Sequence, residues 1–261
     1  MALITSTDNQ KIKNLLKLEK SKERKLQGVA VVEGEKDIKA ALKAGLRVQE
    51  IFYCPEFGNP SPVDFGIEQK HIAAMSKEVF LEITRRENPD GYIAIILVRN
   101  YSLENIKLES NPLIVVVEGA EKPGNLGAIL RTADAAGVDV IIFNDPQIDI
   151  YNPNAIRSSI GTIFNQQIVL ADREETISWL NKNKIKSFAT SKKAEKIYFE
   201  HDFVGGTAFV LGAEHSGLSE EWKEEADEFI KIPMTGIVDS LNLSVSAGIL
   251  LFEAVRQRKL V

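Results

Sequence analysis

Six short runs of almost uninterrupted apolar residues mark the second half of the chain: Leu113–Val117, Val138–Phe143, Ile168–Leu170, Ile185–Ala189, Ala208–Leu211 and Phe229–Ile232. A strand with one wet face alternates apolar and polar side chains, so runs without alternation must be buried on both faces. Helical segments separate nearly all of them. That order requires a parallel sheet covered by helices on both sides, which predicts an α/β domain over residues 113–261.

Upstream, the first 27 residues read as helical after a Thr/Ser/Asp cap region, with Ile12, Leu15, Leu16 and Leu18 as the buried stripe. Val29–Glu33, Val48–Tyr53, Ile72–Ala74 and Gly91–Val98 read as strands. Helices are expected from Gly34 to about Ala44, closed by Gly45, and over Lys77–Arg85, and Pro55–Gly66 is a loop. This alternation predicts a smaller α/β unit over residues 1–100. Residues 101–112 lose apolar periodicity and carry Asn, Ser and Glu, so they read as a linker.

The bulk numbers exclude several classes. A net charge of −5 over 261 residues gives no global attraction to nucleic acid or membrane, so polyanion binding requires a local basic patch. One such patch exists: between Lys11 and Lys25, seven Lys/Arg stand against two Glu. It is either a solvated helix face or a surface that tracks phosphates. A single cysteine, Cys54, rules out an internal disulfide framework and a cysteine-based zinc site, and suits a reducing cytoplasm. The amino terminus turns polar after four residues, unlike a signal peptide, and no apolar run approaches a membrane span. His71, His201 and His215 form no ligand spacing, so no metal site is expected.

Ligands of open α/β sheets bind beyond the carboxyl ends of strands, and three polar breaks follow strands in the second domain. The first is Glu118–Gly137, EGAEKPGNLGAILRTADAAG. Gly119 and Gly124 have the spacing of a phosphate-binding Walker loop, but Asn125-Leu126 stands where Lys-Ser/Thr is needed. A dinucleotide loop requires GxGxxG, and only Gly124-x-x-Gly127 is present; Asp145 lies where a ribose-binding acid would be. Arg131 falls near the expected helix start, where a cation gains nothing from the helix dipole, which favours a phosphate or catalytic role. The second break is Leu211–Ser219, LGAEHSGLS, in which His215 has no evident partner. The third, Ile232–Glu253, is an extended piece broken at Pro233 and Gly236 before a long apolar helix. Ser240, Asn242, Ser244 and Ser246 crowd its entry. Either Asp239 or Ser240 caps a core helix there, or the uncommitted N–H groups hold a ligand.

In order and content the three breaks resemble the signature motifs of the SpoU (TrmH-like) RNA 2′-O-ribose methyltransferases of the SPOUT superfamily. The N-x-G-x-x-x-R-T motif is matched by Asn125, Gly127, Arg131 and Thr132. The G-x-E-x-x-G-L-S motif is matched by Gly212, Glu214, Gly217, Leu218 and Ser219. I-P-M-x-G followed by S-L-N-x-S is matched by Ile232, Pro233, Met234, Gly236, Ser240, Leu241, Asn242 and Ser244. Asn152–Phe164 resembles the family's R-x-S-x-G helix through Arg157, Ser159 and Gly161. Val31–Gly45 and Glu87–Ile96 resemble the family's ribosomal-protein-like RNA-binding domain.

The resemblance implies a SPOUT parallel sheet with a deep trefoil knot, a cytoplasmic homodimer, and S-adenosylmethionine as cofactor. It implies cofactor contacts from Leu211, Gly212, Gly217, Ile232, Met234, Leu241, Asn242 and Ser244. Arg131, Asn125, Glu214, Asn242 and Ser244 are the implied catalytic group. Lys11, Lys17, Lys20, Arg24 and Arg157 are the candidate RNA contacts. The implied reaction is methylation of a ribose 2′-hydroxyl in structured RNA, with ribosomal RNA preferred because a separate amino-terminal RNA-binding domain is present. A tRNA target, a catalytically idle RNA-binding protein and a nicotinamide-dependent oxidoreductase are the alternatives.

Overall fold

The computed structural model describes residues 3–57, 65–146, 149–213 and 216–259. Contacts divide the chain into two units: Met1–Arg99 with Tyr151–Asn165, and Asn100–Ile150 with Gln166–Val261.

The first unit is built on four strands, β1 (Val29–Glu33), β2 (Val48–Tyr53), β3 (Ile72–Ala74) and β4 (Tyr92–Leu97), in the order β1-β4-β2-β3. β4 lies antiparallel to both β1 and β2, and only β2 and β3 run parallel. The amino-terminal helix forms as two pieces, α1 (Gln10–Lys17) and α2 (Ser21–Gln27). Ile12, Leu15 and Leu18 are buried as the apolar spacing predicts, against Phe52, Met75 and Phe80. The turn between the two helices folds Arg24 inward. The residue is 3% exposed, and its guanidinium donates to the carbonyl oxygens of Leu18 (2.6 Å) and Glu19 (2.8 Å). Arg24 is therefore an internal staple, and its assignment as an RNA contact is corrected.

Helix α3 (Glu35–Lys43) ends at Gly45, whose φ of 76° and N–H bond to Leu42 close it as expected. Helix α4 (Lys77–Ile83) stops two residues short of the predicted end. A third layer of the unit comes from far along the chain: α5 (Pro123–Ala136) intervenes in the second unit, and α6 (Pro153–Ser159) then packs on β1. Gly161 follows it with φ 80°, and a Cβ there would stand 2.6 Å from the Ala40 Cβ on α3. Only glycine allows both that backbone and that approach. Arg157 accordingly lies in the first unit, not in the 113–261 domain to which the sequence pattern assigned it.

The second unit contains a six-stranded, wholly parallel sheet: β5 (Leu113–Glu118), β6 (Val140–Asn144), β7 (Ile168–Ala171), β8 (Lys186–Thr190), β9 (Thr207–Leu211) and β10 (Glu228–Ile230). The order is β10-β8-β9-β5-β6-β7. Every apolar run of the sequence is a strand, displaced at its ends by no more than two residues. The stretch read as a linker belongs to this unit: Leu103 is buried in its core, Tyr101, Ile106 and Leu108 pack on that core, and Tyr101 bridges Val169 beside β7. The long helix α9 (Leu243–Lys259) buries Leu243, Ala247, Leu250, Leu251 and Ala254, one stripe at helical spacing, and packs against α5. A Cβ at Gly248 would stand 3.6 Å from the Thr132 methyl on α5. Arg258 fastens the far end of α9 to main-chain oxygens of Asn111 (2.8 Å), Phe203 (2.9 Å) and Gly205 (2.7 Å).

Candidate active site

From β5 the chain moves outward through β6 to β7, then crosses to β8 and β9 on the other side. The connections therefore diverge between β5 and β9, where open parallel sheets bind ligands. A shallow cleft opens beyond the carboxyl ends of those two strands, lined by Gly119, Glu121, Lys122, Asn125, Ala213 and Leu243.

The motif residues converge on this cleft. Pro123 sits in the first turn of α5, which places Asn125 in that turn. Asn242 immediately precedes α9. Its side-chain amide donates to Asn125 Oδ1 at 3.0 Å, and its own oxygen accepts from the Ser244 N–H (3.0 Å) and Ser244 Oγ (2.6 Å). Asn242 thus caps α9, and the expectation of an Asp239 or Ser240 cap is corrected. Asp239 instead pairs with Lys192 at 2.6 Å, which holds its carboxyl below the usual range. Three of the five expected catalytic residues form one hydrogen-bonded chain joining the starts of two packed helices.

Arg131 is not part of that chain. It is the ninth of the fourteen residues of α5, so the argument from its position near a helix start fails. It lies roughly 9 Å along the axis from Asn125 and about a third of a turn round from it, while Thr132 stays on the Asn125 face. Its side chain is exposed, with no hydrogen bond or ion pair to it among the described residues. Glu214 and His215 lie outside the described residues.

Beyond β10, Ile232–Leu241 runs as coil, with Ile232, Met234 and Leu241 half-buried. Among the described residues the backbone of this stretch makes no main-chain hydrogen bond. Opposite it, β9 ends at the buried Leu211, and Gly212 passes so close to the returning chain that a Cβ would sit 2.6 Å from the Gly217 oxygen and the Leu218 nitrogen. Among the described residues, no group of three or more His, Cys, Asp or Glu is placed to hold a metal ion, and no helix is long and apolar enough to cross a membrane.

Comparison with known proteins assigns this arrangement. Residues 112–252 match the SpoU rRNA Methylase family. The chain belongs to that family. Residues 9–94 match the MRM3-like substrate binding domain. The Bacillus subtilis 23S rRNA (guanosine(2553)-2′-O)-methyltransferase RlmP is 30% identical over 97% of this chain and 98% of its own. The crystal structure of an AdoMet-bound rRNA methyltransferase from Sinorhizobium meliloti superposes with a TM-score of 0.90 at 30% identity, covering 98% of this chain and 97% of that one. A crystal structure of an RNA 2′-O ribose methyltransferase gives 0.84 at 37% identity, over 99% of this chain and all of the other.

Behind the SpoU motifs lies a polar layer that sequence reasoning did not single out. Asn144, fully buried at the end of β6, donates to the carbonyls of Ala171 (2.9 Å) and Asp172 (3.2 Å) and to Thr176 Oγ1 (2.8 Å), and accepts from the buried Trp222 indole (3.2 Å). Glu118, 4% exposed at the end of β5, pairs with Arg173 at the start of α7 (Arg173–Lys182). The Asp145 carboxylate is also bound to Arg173, at 2.8 Å, which engages the acid that a ribose-binding reading required. The available signal for this layer was an acid or amide ending a strand that is otherwise apolar.

Proposed function

We propose that this chain transfers a methyl group from S-adenosylmethionine to a ribose 2′-hydroxyl of ribosomal RNA. The observation that carries the reading is the Asn125–Asn242–Ser244 chain, set at the divergence of β5 and β9, with the Ile232–Leu241 coil and its main-chain groups unbonded to other main chain among the described residues. Neutral amides, hydroxyls and apolar side chains suit a nucleoside with polar edges, so the residues present fit the cofactor. Leu211, Gly212, Gly217, Ile232, Met234, Leu241 and Ser244 would hold it, largely through backbone. When bound it supplies the electrophilic methyl.

The chain's own residues must place and polarise a weak nucleophile. Asn125 and Asn242 fix each other and so fix the floor on which the ribose rests. Arg131 holds the target phosphate and stabilises developing charge; a guanidinium remains protonated in proteins, so it does not act as the base. Glu214 orients Arg131 or the ribose. RNA approaches through exposed cations that lack ion pairs among the described residues, Lys17, Lys20, Lys22 and Lys25. Lys11 is partly neutralised by Glu50. Arg157 lines a notch with Arg85 and Arg86 and is a further phosphate contact. Val245 and Phe252, each 48% exposed on α9, together with Ile237 and Val238 form the surface a second copy would cover. The Ile232–Leu241 segment belongs to a trefoil knot, and the protein works in the cytoplasm.

The test is methyl transfer from labelled cofactor to RNA of a strain lacking this protein, with ribosomal and transfer RNA assayed separately. Incorporation into ribosomal RNA is expected, abolished by Arg131→Ala while cofactor binding persists. Incorporation into tRNA alone would transfer the reading to that substrate. Near-normal turnover of Arg131→Ala would remove Arg131 from the site.

A further inference from the structure

The charged cluster behind the cleft carries an assignment that the SpoU motifs do not make. Glu118 uses both carboxylate oxygens: one binds Arg173, and the other accepts the Ser219 main-chain N–H at 2.9 Å. Ser219 closes the second motif and precedes α8 (Glu220–Glu225). From Ser219 the path to the cleft is short. Leu218 and Gly217 are the atoms against which Gly212 is pressed, Gly217 N–H bonds the Ala213 oxygen at 3.0 Å, and Ala213 lines the cleft. At Gly119, the neighbour of Glu118, a Cβ would stand 3.2 Å from the Ala213 methyl, so the backbone there passes close to the motif. One buried carboxylate therefore grips the second motif at its exit, and the residue after it runs close to the motif at Ala213.

A carboxylate this buried is held only if its charge is compensated. Arg173 does so while spanning to Asp145 at 2.8 Å and Glu221 at 3.7 Å, which keeps the guanidinium fixed from three sides. Asp145 and Glu221 are each about half exposed, whereas Glu118 is buried, so the loss of Arg173 would fall on Glu118.

We propose that Glu118 and Arg173 are positioning residues that set the cofactor-facing wall of the cleft through the Ser219 N–H. The proposal rests on the methyltransferase reading above. It implies that their loss weakens cofactor affinity while leaving the turnover of the saturated enzyme and the affinity for RNA nearly unchanged. Glu118→Ala removes the acceptor for Ser219. Glu118→Gln keeps an acceptor and removes the charge. Arg173→Gln leaves the charge buried without its partner.

The experiment is calorimetric titration of the full-length protein with S-adenosylhomocysteine, together with KM and kcat for the methyl donor, RNA binding, and hydrogen exchange of the Gly217–Ser219 amides. Glu118→Ala and Arg173→Gln should each weaken binding about tenfold or more, the cost of a buried hydrogen bond to a charged group. Both should speed exchange at Ser219. Glu118→Gln should lose less than Glu118→Ala, and Glu118→Gln with Arg173→Gln should bind more tightly than Arg173→Gln alone, because no unpaired charge remains. If Glu118→Ala does not fold, the Gln variants and their double decide. Affinities equal to that of the parent protein, or losses confined to kcat or RNA binding, would overturn the proposal. A parent protein that binds no cofactor would instead overturn the methyltransferase reading.

Discussion

Replacing Arg24 by methionine separates structure from recognition in the basic amino-terminal region. Methionine keeps most of the apolar stem but removes a buried guanidinium that donates to two main-chain oxygens, at 2.6 and 2.8 Å. Hydrogen bonds from charged donors are each worth about 1.5–3 kcal/mol. The Glu19 carbonyl stands on an exposed residue and can return to water, while Leu18 is fully buried, so the net loss should be about 2–4 kcal/mol. At roughly 2–4 °C per kcal/mol for a chain of this size, the melting temperature should fall by about 5–15 °C. Fluorescence anisotropy with an rRNA fragment over a range of salt then supplies the contrast. Lys17→Gln and Lys20→Gln should each reduce the slope of log affinity against log salt by roughly 0.7–0.9, with little change in melting. Arg24→Met, assayed below its melting range, should leave the slope intact. A variant that melts within about a degree of the parent and flattens the slope like the lysine variants would refute the staple and restore Arg24 to the RNA surface.

Three further outcomes are expected. Asn144→Ala leaves the Trp222 indole and the Ala171 carbonyl without the amide, while the Thr176 hydroxyl and the Asp172 carbonyl keep their bond to each other, and urea denaturation should show a loss of about 2 kcal/mol or more; a loss near zero would mean that water replaces the amide. Asn242→Ala should lower stability by about 1 kcal/mol through the lost cap and lower kcat sharply, while Asn125→Ala adds little to the double variant, because the two act as a pair; additive rate losses would separate them. Burial pushes the His201 imidazole below its ordinary value. Its neutral form therefore contributes stability that is complete above about pH 6.5 and is lost as the pH falls through the lower folded value. His201→Leu should shrink the difference in melting temperature between about pH 7 and about pH 5.5, and an unchanged difference would deny the imidazole that role.

The strands were legible because burial on both faces leaves only one kind of residue to use, and Val115, flanked by Phe209 and Ile141, shows why no polar residue could stand there. Asn125, Asn242 and Ser244 were legible as motif members, and the structure brings them together. Arg24 is indistinguishable from its neighbours in sequence, because a run of lysines and arginines looks alike whether the helix continues or turns, and the turn at Leu18–Lys20 is what drives one of them inside. Residues 101–112 read as a linker because four apolar side chains over an irregular backbone show no period. Arg157 could not be placed from local pattern, since its packing partners on β1 precede it by more than a hundred residues. Glu118 sat inside the first motif stretch, but a strand-end acid shows nothing of its partner until Arg173 and Ser219 are brought beside it.

The hydrogen bond between Asn125 and Asn242 spans 117 residues of chain. Such contacts close late, because the entropy of the intervening loop must be overcome before the bond is gained, and parallel sheets already fold slowly for the same reason. Helical signal in α1, α3 and α7 can therefore return early on refolding, while the floor of the cleft waits for α9 to dock on α5. Recovery of cofactor binding should lag behind recovery of secondary structure. The site is in this sense a late product of folding, present only in molecules whose last helix has found its place.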